Sequence, residues 1–131
     1  MANPNIAGSS TTIYGVTTYL TPGGTTALVL LPNAASSGTV MKINQIVAAN
    51  VSGSAAVNAT VSIYTNGAVA QGSAPSGGTA YPIASAVSVP TGASLIVVDK
   101  TSALYLMEGT SISVTSGTAS GITYRAGSGN Q

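Results

Sequence analysis

Two carboxylates, Asp99 and Glu108, are the only acids in this chain. General acid–base chemistry needs a second titratable group, or a neighbour that tunes the first. The two acids stand nine residues apart, with the run LYLM (104–107) between them, a spacing that predicts opposite ends of a strand-and-turn unit. Glycoside hydrolysis by paired carboxylates is formally open. The plainer expectation is that Glu108 is an exposed residue beside Gly109, at a turn feeding SISVT (111–115). The chain has no His and no Cys, so a Ser–His–Asp triad cannot be assembled. A Ser–Lys dyad through Lys42 or Lys100 has no local motif behind it. Zinc and most transition metals want His or Cys, and a hard cation wants several carboxylates. The phosphate-cradling pattern GxxxxGK[ST] is missing. Lys42, Lys100 and Arg125 are the only basic residues, too few and too scattered for a nucleic-acid patch. The expectation is a non-enzymatic protein with no catalytic residue, no cofactor and no metal.

Binding needs less than catalysis. Six tyrosines are the only aromatics: Tyr14, Tyr19, Tyr64, Tyr81, Tyr105 and Tyr124. On an outward strand face, such rings stack on sugars or bases, or anchor a partner protein. Tyr64 falls on the polar parity of its strand and is the foremost surface candidate; Tyr105 and Tyr124 read as core or edge. Together with Asn58, Asn66 and Gln71, Tyr64 makes the expected interaction surface. Asn50-Val-Ser52 and Asn58-Ala-Thr60 match the glycosylation sequon, which carries little weight without a secretion signal.

The elements that must position these side chains are strands. Of 131 residues, 44 % are hydrophobic and 4 % charged, with net charge +1; a typical soluble domain is roughly 25 % charged. Disorder requires the opposite balance of low hydrophobicity and high charge. No apolar run reaches the ~18 residues of a spanning helix, and MANPNIAGSS (1–10) has no secretory pattern. A surface this poor in charge has little repulsion to keep copies apart, and suits a protein packed in an assembly.

β-branched residues dominate and helix formers are scarce. Strands are expected over 11–20, 25–31, 39–51, 57–67, 81–89, 93–99, 104–107, 111–115 and 121–126, in a single-domain antiparallel β-sandwich of about eight strands, jelly-roll-like or immunoglobulin-like. In 57–64, Val57, Ala59, Val61 and Ile63 share one parity; Asn58, Thr60, Ser62 and Tyr64 share the other, as in a half-buried strand. In 39–51, Ile46 breaks parity with Ile43, which a bulge near Gln45 would explain. The run 93–99 is apolar on both faces and reads as central or covered. Asn66-Gly67 is a tight-turn dipeptide, 68–80 an exposed loop, and 116–120 a short hairpin loop. Residues 1–10 form an N-terminal arm and 127–131 a loose tail.

Three stretches then carry a resemblance: TTIYGVTTYL (11–20), VMKINQIVAANVSGSAAVNATVSIYTNG (40–67) and IASAVSVPTGASLIVVDKTSALYLMEGTSISVTSGTASGITYRA (83–126). Their order resembles small virion structural proteins of tailed bacteriophages, notably marine and cyanobacterial phages. The resemblance spans roughly residues 11–126. It implies a β-sandwich without enzymatic activity. The implied role is capsid decoration (cement), with a tail, neck or fibre component, including a receptor- or carbohydrate-binding module, as the alternative. The implied partners are the major capsid protein or other virion proteins, and copies of the chain itself in a homo-oligomer such as a trimer. Neither nucleic acid nor membrane is implied, and the expected location is the virion. Such proteins often end in an acidic segment, whereas this chain ends in RAGSGNQ (125–131). Residues 1–12 and the loop 68–80 are the segments expected to contact neighbours.

Overall fold

The computed structural model describes residues 15–35, 38, 40–99 and 104–130. They form nine strands: β1 (Gly15–Leu20), β2 (Leu28–Asn33), β3 (Met41–Asn50), β4 (Val57–Tyr64), β5 (Ala80–Val89), β6 (Ser94–Val98), β7 (Leu104–Leu106), β8 (Thr110–Ser116) and β9 (Ile122–Asn130). The N-terminal arm 1–10 lies outside the described residues.

The pairing is nested. From the connection 65–79 outward, β4 pairs with β5, β3 with β6, β2 with β8 and β1 with β9, all antiparallel. The chain is therefore one long hairpin, and it rolls up because β3 also pairs with β9 and β4 with β8. Two sheets result: β1-β9-β3-β6, with β7 beside β6 on the edge of β3, and β2-β8-β4-β5. We refer to them as sheets A and B. An immunoglobulin-like sandwich keeps its first two strands in one sheet. Here β1 and β2 lie in opposite sheets, and the nested pairs are those of a jelly roll.

Side-chain alternation fills the space between the sheets. Ile112 and Val114 of β8 point inward and are fully buried, as do Val61 and Ala59 of β4. The expected bulge in β3 is present: its register with β9 shifts between Ile43 and Gln45. That extra residue lets Ile43, Ile46 and Ala48 all face the core despite their uneven spacing. Burying Ile43 and Ile46 contributes about 1.5–3 kcal/mol each.

Several local expectations are corrected. Residues 127–130 are not a loose tail but the end of β9, paired with both β1 and β3; ladders on two sides override the low strand propensity of Gly127 and Gly129. β6 is not central. It is an edge strand covered on one face, so Ile96 stays 57 % exposed. Loop 116–120 is not a hairpin turn, because β8 and β9 belong to different sheets and the loop arches between them. Asn66-Gly67 makes no tight hairpin either: fifteen residues, 65–79, separate β4 from β5. Asn66 instead anchors that connection, its Oδ1 accepting from Ala68 N at 3.0 Å and its Nδ2 donating to Ser76 O at 2.7 Å.

Candidate interaction surfaces

Glu108 sits where the sequence placed it, exposed at the β7–β8 turn. Gly109 adopts φ +76, a left-handed conformation that favours glycine, and Thr110 closes the turn through its backbone N–H and its hydroxyl on Met107 O. The Glu108 carboxylate accepts a hydrogen bond from the backbone N–H of Gly38. It thereby ties the β2–β3 connection to the β7–β8 turn. A hollow of about 330 Å³ lies there, lined by Gly38, Val40, Met107 and Glu108. Among the described residues it brings one carboxylate to two apolar side chains, with no second titratable group in its lining. This geometry makes Glu108 a clamp. Glu108→Gln keeps an acceptor oxygen and is expected to hold stability within about 0.5 kcal/mol. Glu108→Ala removes the acceptor and should cost about 1 kcal/mol. Urea unfolding of the two variants checks the difference; equal losses would mean the bond contributes nothing.

The surface expected around Tyr64 does not form. Tyr64 is 8 % exposed, and its hydroxyl accepts from Gly78 N at 2.9 Å. The period-2 reading fails here for a local reason. Asn58 keeps its outward exposure, but from Ser62 onward the outward parity is covered, and Ser62, Ser111 and Ser113 are buried as well. The connection 65–79 folds back over this end of sheet B. Ser111 Oγ donates to Asn66 O at 3.0 Å, and Thr65 N donates to Thr79 O at 3.1 Å. The connection also caps the free edge of β2, where Val29 exchanges backbone bonds with Gly72 and Ser73. The loop 68–80 is exposed as expected, yet held at several points along its length.

The other three candidates are scattered. Asn58 stands at the far end of β4, on the order of 20 Å from Tyr64 at the rise of a strand. Asn66 is half-buried and engaged as described. Gln71 is exposed and donates to the Tyr19 carbonyl of β1 at 3.1 Å, so it bridges from the roof of sheet B to sheet A. Asn50 of the first sequon is buried, its amide donating to Ala55 O and Val89 O.

The edge at β5 is what the sequence reading missed. This ten-residue strand is exposed over nearly its whole length, with Tyr81, Ile83 and Val87 open to solvent. Its pairing to β4 is broken by two register shifts, and Ala86 takes φ +50. Pro82 and these bulges blunt the edge against indiscriminate pairing. The apolar residues of 81–89 were legible, but their exposure depends on β5 closing one side of sheet B.

Comparison with protein-family models, curated proteins and solved structures found no match in any of the three.

Proposed function

We propose that this chain is a non-enzymatic structural protein of a tailed-bacteriophage virion, a capsid decoration protein that reinforces the lattice. The single observation that carries the reading is the unfinished side of the sandwich. One side is closed by residues 70–73 along β2, while on the other β5 and β6 leave Tyr81, Ile83, Val87 and Ile96 in water. On a chain with net charge +1, those apolar edges are where neighbours in a lattice add contact. Many individually weak contacts combine through effective concentration into firm attachment. The resemblance over residues 11–126 supports the same reading, and jelly rolls recur among viral capsid proteins. That recurrence is an analogy of fold alone. Tyr64, the foremost surface candidate for a glycan, is buried.

Copy number in purified particles tests the proposal. A decoration protein is expected at on the order of hundreds of copies. A count on the order of ten would place it in the tail or neck instead, and absence from particles would overturn the reading.

A further inference from the structure

The two outward faces of the sandwich differ. Sheet B is roofed at one end by 65–79, whereas sheet A is open across its width. The register lays its outward side chains in rows. One row runs straight across four strands as Tyr19–Arg125–Val47–Ile96. Tyr19 is 71 % exposed and Ile96 57 %, with Arg125 exposed between them. A second row holds Lys42 beside Tyr105, itself 55 % exposed. Between the rows Gly127 of β9 takes the outward position, paired with Thr17 of β1 and Gln45 of β3, and a Cβ built at Gly127 meets nothing within 4 Å.

Both described basic residues therefore share one face, on either side of the row that holds Gly127 and each in a row with an exposed tyrosine. Arg125 and the partner of Lys42, Gly129, are four residues apart on β9, so the two cationic rows are separated by roughly 13 Å at 3.3 Å per residue. Glu108, at the β7–β8 turn, is bound to Gly38 N. Asp99 follows β6 at the border of the face and has a partner of its own.

We infer that this face docks an extended acidic protein segment, with two carboxylates about four residues apart meeting Arg125 and Lys42 and small side chains between them lying over Gly127. An extended chain spans that gap with four residues. Arg125 already donates to Gln45 Oε1 at 3.1 Å, which holds the guanidinium over the face and leaves donors for a carboxylate. Nucleic acid is the weaker match, since two cations release few counterions. The inference concerns the isolated protein and stands apart from any role in a particle.

The test is titration of the isolated full chain with a short synthetic peptide of Ser and Val carrying two Glu residues about four positions apart. The Gln counterpart and an oligothymidine serve as parallel probes, and backbone amide shifts provide the map. The Glu peptide is expected to bind saturably, to perturb β1, β9 and β3, and to weaken as salt rises. Arg125→Gln should lower its affinity about tenfold, and Lys42→Gln should lower it in the same direction with the fold unperturbed. Equal binding of the Gln peptide, preference for oligothymidine, shifts confined to another face, or no saturable binding would each overturn the inference.

Discussion

Gly67→Ala is expected to destabilise the fold by about 3 kcal/mol or more, the upper end for overpacking a core. A Cβ at position 67 would lie 2.2 Å from the carbonyl oxygen of Asn33 and 2.6 Å from that of Thr110. Both contacts are backbone, so no side-chain rotation relieves them. The crowding follows from the topology. After β4, the chain passes between the end of β2 and the β7–β8 turn. There Gly67 N donates to Gly109 O at 3.0 Å, and Gly109 N donates to Asn33 O at 2.8 Å. The Asn33 side chain, buried, donates to Leu106 O at 3.0 Å and so links this knot to sheet A. Added volume at 67 must therefore displace three connected segments of chain. The midpoint of thermal unfolding should fall by on the order of 10 °C. Gly23→Ala, where an added Cβ meets nothing within 4 Å, controls for the loss of chain freedom. If both variants melt alike, the close approach is not a constraint.

The sequence shows Gly67 as half of a turn dipeptide, which is the right residue for the wrong reason. Its cause lies in Asn33 and Thr110, far along the chain, and no local signal reports them. Strand positions themselves are legible because alternation is local: Val57, Ala59 and Val61 face inward as read, and the parity break at Ile46 announces the bulge. What alternation cannot report is which sheet a strand joins. That is why 116–120 reads as a hairpin and 93–99 as central or covered. Order in the sheets follows from closing one long hairpin upon itself, a long-range property of the whole chain.

The site residues divide along the same line. Glu108 is readable as a turn residue, since Gly109 demands a bend; its bond to Gly38 is long-range and is not. Tyr64 obeys its strand's period and still ends up buried, because a loop folds over the outward face. Arg125 and Lys42 are visible as charges, but their placement on one face depends on the β3–β9 register, including the extra residue between Ile43 and Gln45. Sequence thus reports which groups exist, and the sheet decides which of them meet.

Tyr124→Phe should cost about 2 kcal/mol near neutral pH, and the cost should shrink as the solution becomes strongly alkaline. Tyr124 is the largest fully buried side chain among the described residues. It rises from β9 in sheet A and crosses the core to sheet B. Its hydroxyl accepts from Thr60 N at 3.2 Å and donates to Thr115 O, bridging β4 and β8 where Thr60 and Thr115 pair. Phenylalanine fills the space but leaves those polar contacts unmet. Burial pushes the Tyr124 phenol up from 10.0 to about 12, against the opposing pull of the Thr60 hydrogen bond. The folded protein thus keeps a proton that the unfolded chain releases as pH climbs through that interval. Stability attributable to this group is complete below pH 10 and declines from there to pH 12, by about 2–3 kcal/mol in all. The phenylalanine variant lacks this group and shares every other tyrosine, so the two unfolding curves should converge over that interval. Urea unfolding at stepped alkaline pH measures the gap. A gap that stays constant from pH 9 to pH 12 would mean that the hydroxyl ionises as freely in the folded protein as in the unfolded chain, and no gap near neutral pH would mean that it does not bolt the sheets together.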